Sequence, residues 1–107
     1  MSCPVFIISD AEDDLFEIRH FIARNDSISK ADKILAKLEE KCLSLANFPN
    51  RGHTPPELER IAVFDYREVH YKPYRIIYQI IERKVYVHCV LDGRRDLQEL
   101  LYERLLR

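Results

Sequence analysis

Two runs rich in β-branched and aromatic residues, Arg75–Ile81 and Val85–Leu91, are separated only by Glu82-Arg83-Lys84. Strand composition on both sides of a short polar connection predicts a β-hairpin. The connection holds neither Gly nor Asn, so its turn type stays open. A preceding run, Ala62–Tyr71, reads as another strand, with Lys72-Pro73-Tyr74 as the turn between them. Alternation puts Arg67, Val69 and Tyr71 on one face of that strand and Tyr66, Glu68 and His70 on the other. Asp92-Gly93 ends the last strand.

The first half of the chain is helical after a short start. Pro4–Ile8 reads as a strand. Ser9 and Glu12 have capping-box spacing, and Asp10, Asp13 and Asp14 place negative charge at the positive end of a helix dipole. Ala11, Leu15, Ile18 and Ile22 form its apolar stripe, with Phe21 beside it. Asn25-Asp26-Ser27 breaks the pattern. A second helix begins near Ser29, where Ala31, Ile34, Leu35, Leu38, Cys42, Leu45 and Ala46 keep the 3.6-residue period. The short join predicts an antiparallel helical hairpin. Phe48 to Leu58 reads as a loop, holding three of the five prolines and one of the two glycines. Within it, Arg51 and His53 read as solvated residues. Asp96 caps a last helix, where Leu97, Leu100, Leu101 and Leu105 face inward. The order is strand, helix, helix, three strands and a short helix. This predicts an α+β fold, with the helical hairpin packed on one face of a curved, mainly antiparallel sheet.

At 107 residues the chain is expected to form one domain, residues 1–107. Hydrophobic residues make up 47% and charged residues 33%, which excludes disorder. No apolar run approaches the ~20 residues of a membrane-spanning helix, and the first residues carry no leader pattern. A cytoplasmic protein without membrane partners is expected. Cys3, Cys42 and Cys89 have neither metal-ligand nor disulfide-framework spacing, and Cys42 and Cys89 read as core thiols. The net charge of −1 is uneven. Residues 1–50 hold six basic and nine acidic side chains, a balance of −3; residues 51–107 hold eleven and nine, a balance of +2. Any polyanion site must therefore be a local cluster rather than a basic face.

His20, His53, His70 and His88 are scattered without metal-ligand spacing, so neither a metal site nor a cofactor is expected. No Gly-rich phosphate loop and no nucleophile elbow is present. What remains is arginine. Arg67, Arg75, Arg94 and Arg95 fall near strand ends, where a sheet can bring them together. Guanidinium presents a planar fork of donors suited to phosphate or carboxylate. The group reads either as a patch for an anion or acidic partner, or as structural ion pairs, with Glu68, Asp92 and Asp96 as acceptors.

Taken in order, Pro49-x-Arg51-Gly52, Pro56-Glu57-Leu58, Tyr66-Arg67-Glu68, Tyr74-Arg75-Ile76-Ile77-Tyr78, Asp92-Gly93-Arg94-Arg95-Asp96 and Leu100–Leu106 resemble the RelE/ParE superfamily of toxins from type II toxin–antitoxin modules. The resemblance spans nearly the whole chain. It implies a bacterial or plasmid-borne, plasmid-stabilising toxin, neutralised by a cognate antitoxin whose segments fill grooves beside the helices and the sheet. It leaves a homodimer or a hetero-oligomer with antitoxin open. RelE-like members cleave messenger RNA on the ribosome, and Arg75 and Arg95 match their two arginines. His70, Tyr71 or His88 would then move the proton. The strand that carries catalytic lysines in those members reads Tyr66-Arg67-Glu68 here. The aromatic of their last helix would fall at about Leu101, with Tyr102 one residue off. ParE-like members resemble inhibitors of DNA gyrase, and the Tyr-Arg-Glu and Asp-Gly-Arg-Arg-Asp pattern is closer to that branch. The resemblance thus implies a gyrase inhibitor, with Arg67, Arg75, Arg94 and Arg95 as the functional or antitoxin-contacting patch. Its alternative is a messenger-RNA endoribonuclease.

Overall fold

The computed structural model describes residues 2–107. β1 (Val5–Ile7) leads into α1 (Ser9–Asn25) and α2 (Ile28–Leu43), which ends in a 3₁₀ turn over Ser44–Ala46. A one-turn helix, α3 (Pro56–Glu59), precedes β2 (Tyr66–Tyr71), β3 (Tyr74–Ile81), β4 (Lys84–Asp92) and α4 (Gln98–Leu105). The sheet order is β1-β4-β3-β2. β1 runs parallel to β4, and the other pairs are antiparallel. The predicted α+β architecture is present. A register shift between Ile77 and Tyr78 marks a bulge in β3, a device that increases strand twist.

Several boundaries differ from the sequence expectation. Ser9 is not the cap of α1: Ile8 holds the N-cap position, and no side chain caps it. The reason is the parallel strand pair. The Ile8 N–H still donates to the Val87 carbonyl at 3.1 Å, while its own carbonyl accepts the first helical bond from Glu12 at 2.9 Å. Strand therefore passes into helix without a polar cap. Ser27 caps α2, accepting from the Lys30 N–H at 3.0 Å. β2 starts at Tyr66 rather than Ala62, because Pro56–Glu59 makes a helical turn. Ala62 then reverses the chain at a φ of 58°. The β3–β4 turn is two residues long. Glu82 and Arg83 take φ values of 50° and 67°, the left-handed pair a type I′ hairpin needs.

Apolar residues cover both faces of the sheet. On one face, Ala11, Leu15, Leu38 and Cys42 of the helical hairpin and Leu45 of the 3₁₀ turn pack on Val69, Ile76, Tyr78, Val85 and Val87. On the other, Leu97 at the start of α4, with Leu101 and Leu105 within it, joins Leu58 over Ile77, Cys89 and Leu91. Both Cys42 and Cys89 are fully buried, and burial pushes each thiol up to about 12. They are core thiols, as their apolar setting predicts. The two cores are tied together by Asp14, which the sequence reads only as a helix-dipole charge. It is buried, accepting from the Val90 N–H at 2.9 Å and from both terminal nitrogens of Arg104 on α4 at 3.1 and 2.9 Å.

Candidate functional site: an arginine held between two carboxylates

The site grows from the edge of β2. The loop before α3 returns along this edge. His53 and Glu68 exchange backbone bonds, 3.1 Å from His53 to the Glu68 carbonyl and 2.7 Å in reverse. Gly52 makes this approach possible: a Cβ there would lie 2.3 Å from the Glu68 carbonyl oxygen. The hydroxyl of buried Tyr78 donates to the Pro49 carbonyl at 2.6 Å and accepts from the Gly52 N–H at 3.2 Å. Arg67 completes the clamp by donating to the Asn50 and Gly52 carbonyls. Its Nε is buried without a partner among the described residues.

Antiparallel register places Arg75 opposite His70, beside Glu68 on the same face of the sheet. The Arg75 guanidinium lies between two carboxylates. Nε donates to Glu68 Oε1 at 2.6 Å and Nη2 to Glu68 Oε2 at 3.0 Å. Nη1 and Nη2 donate to Glu57 at 2.7 and 2.8 Å. Glu68 is 1% exposed and is the only residue besides Asp14 among the buried charged ones described. The bonds to Glu57 and Glu68 hold Arg75 above its ordinary range, and Arg75 in turn holds the Glu57 carboxyl below the usual carboxylate range. All three guanidinium nitrogens are spent on protein acceptors, so Arg75 has no free fork for a phosphate.

The arginines therefore do not form one free cationic patch. Arg75 and Arg94 line a shared open cleft together with His53, Glu57, His70 and Lys72. Arg67 and Arg95 do not line it. Arg94 is exposed and donates to both oxygens of Asp92 at 3.0 and 2.7 Å. Arg95 is exposed, and its backbone N–H donates to the Asp92 carbonyl at 3.4 Å. Of the expected ion pairs, Arg75–Glu68 forms, while Asp92 takes Arg94. Leu101 is fully buried, and the Tyr102 hydroxyl donates to the Glu57 carbonyl at 3.3 Å. His88 sits on β4, edge-on to Tyr66 and 3.2 Å from Gln79 Oε1. Burial, then the nearby Arg104, pushes its imidazole below the ordinary range.

The histidines were read as scattered, without metal-ligand spacing, yet two of them meet in space. His53 and His70 lie edge to face at 5.4 Å between ring centroids, both turned toward Glu68. They stand 17 positions apart in the chain, a spacing that matches no ligand motif. The loop path and the strand register bring them together. Glu57 was also invisible as a site residue in the sequence, where its only signal is the Pro-Glu-Leu triplet.

The site thus sits on a small α+β domain whose Arg75 is closed off by two carboxylates. The family model of the ParE toxin of type II toxin–antitoxin systems, parDE, matches residues 5–97, and the chain belongs to that family. Among solved structures, the chromosomal ParDE toxin–antitoxin system from P. aeruginosa is similar, with a TM-score of 0.72 at 16% identity. It covers 85% of this chain and 96% of that one. The toxin–antitoxin complex RelBE2 from Mycobacterium tuberculosis has a TM-score of 0.64 at 20% identity, over 86% of this chain and 99% of that one. At these identities the likeness is one of fold. No curated protein sequence matches the chain.

Proposed function

We propose that the chain is a ParE-like toxin that acts in the cytoplasm by inhibiting DNA gyrase as a protein inhibitor, and that a cognate antitoxin neutralises it. The observation that carries this reading is the double carboxylate clamp on Arg75. A ribonuclease of this fold would need that guanidinium to meet the charge developing on a phosphorane. Here it is neutralised within the protein. Buried Leu101 supports the same reading, because it replaces the aromatic a ribonuclease would present from the last helix. Among the described residues no helix is long and apolar enough to cross a membrane. The antitoxin would dock on the groove between α1, α2 and β1, where Leu15, Leu35 and exposed Phe16 form an apolar floor and rim. An amphipathic or extended segment fits such a groove.

The test is to induce the chain alone in bacteria and to assay the purified protein on gyrase. Filamentous cells, intact transcripts and loss of supercoiling are expected. Growth arrest with unaffected supercoiling would refute the reading. One observation favours the ribonuclease alternative: His70 and Lys72 share the cleft with Arg75 and could serve proton transfer there. Transcripts cut inside codons in arrested cells would establish it.

A further inference from the structure

The His53–Glu68–His70 cluster flanks the Arg75 clamp and shares Glu68 with it. Nε2 of His53 lies 3.3 Å from Glu68 Oε2, and Nε2 of His70 lies 3.1 Å from Glu68 Oε1. The three side chains place one donor atom each within 4.8 Å of one another. We propose that His53, Glu68 and His70 form a binding site for a divalent transition-metal ion of the zinc type, with solvent in the remaining position.

The 3.3 and 3.1 Å separations between each imidazole nitrogen and its nearer Glu68 oxygen match the donor spacing of such an ion. Tetrahedral coordination with bonds of about 2.0–2.1 Å sets neighbouring donors about 3.3 Å apart. Two imidazoles and a carboxylate are a donor set that suits zinc and its neighbours rather than magnesium or calcium. The frame is built before any ion arrives. His53 is fixed to Glu68 by the reciprocal backbone pair, and Glu68 and His70 alternate onto one face of β2. Glu68 is buried, whereas the two imidazole side chains are 60% and 51% exposed. An ion can therefore enter from solvent with little rearrangement.

Arg75 is the obvious objection, and the geometry answers it. It donates one hydrogen bond to each Glu68 oxygen, and each carboxylate oxygen has a second lone pair. Nε2 of His53 and of His70 approach those oxygens at 3.3 and 3.1 Å. The immediate charge balance of the clamp is negative, while Arg60, Lys72 and Arg94 also line the cleft. Glu57 and Glu68 bring two negative charges and Arg75 one positive, leaving the trio with a net negative charge. Arg75 then acts as the outer partner that orients the ligand carboxylate.

Tag-free protein in a Cys3→Ser background, stripped with chelator, would be titrated with zinc chloride near pH 7 by calorimetry. Cys3 is replaced because it is the one cysteine that is not buried. One equivalent should bind with a dissociation constant of about 1 μM or tighter. His53→Ala and His70→Ala should each weaken binding about tenfold or more, and His20→Ala, on the exposed side of α1, should leave it unchanged. Both ligand histidines are exposed, so circular dichroism should report unaltered folding in each variant. Absence of saturable binding up to about 1 mM zinc would overturn the site. So would binding that survives the His53→Ala/His70→Ala double variant. The readout needs no toxin activity, so its result stands apart from the gyrase assay.

Discussion

Single residues decide what the arginines of this chain can do. Arg75 matches a functional arginine in sequence, yet its chemistry is set by Glu57 and Glu68. Removing it leaves Glu68 buried with its charge uncompensated. Arg75→Ala should therefore destabilise the fold by about 3–5 kcal/mol, read from urea denaturation. A loss near zero would mean that the guanidinium is free for a ligand. Arg75→Lys should recover only part of the loss, because an ammonium cannot bridge two carboxylates as a planar fork does. Asp14 is a second case. It bonds Arg104 and the Val90 N–H, so Asp14→Ala and Arg104→Ala should couple by about 1–3 kcal/mol in a double-mutant cycle of stability. Additive losses would show that the α4 tie is incidental.

At the scale of elements, the β3–β4 hairpin carries a visible local conflict. Its two turn residues, Glu82 and Arg83, have positive φ although neither is Gly or Asn. A left-handed conformation costs such residues roughly 1–2 kcal/mol. The flanking strands, buried on both faces, offset that cost. Replacing Glu82-Arg83 with Asn-Gly should raise stability by about 1–2 kcal/mol and leave toxicity unchanged, since the turn is exposed and far from the cleft. A fall in the thermal midpoint would refute the turn assignment. The same element explains why the turn type was illegible beforehand: no residue in the connection carries a left-handed preference. The packing of long strands imposes the conformation instead.

The whole molecule should respond to acid in two stages. Burial holds His88 below its ordinary value of 6.5, so between the folded and unfolded values the unfolded chain binds the extra proton. Stability is complete above that value and falls as the pH drops through about 6.5. Glu57 works through a depressed carboxyl: its contribution is present above the unfolded value and is lost as the pH falls through the lower folded one. Denaturation midpoints taken from pH 8 to pH 3 should show a first decline near pH 6 that His88→Gln removes, and a second in the carboxylate range that Glu57→Gln reduces. A single decline, unaffected by either variant, would contradict the assignment.

Much of this fold was legible because it depends on short-range order. The 3.6-residue stripe of α2, the alternation along β2 and the two strand runs of the hairpin are local patterns of burial, and water enforces them wherever the chain goes. They were sufficient for the element order and for the apolar faces that pack on the sheet. The ordered arginine and tyrosine motifs were sufficient for the family. The site was legible only in part. Arg75 and its pairing with Glu68 could be anticipated, but not Glu57, and not the meeting of His53 with His70. Those contacts join residues 17 or 18 positions apart across a proline-rich loop, where no periodicity constrains the path. Only the tertiary structure decides them, through the register of β2 on β3 and the close approach that Gly52 permits. The physical reason is that a side chain's charge and exposure are properties of its neighbours in space, and strand register chooses those neighbours.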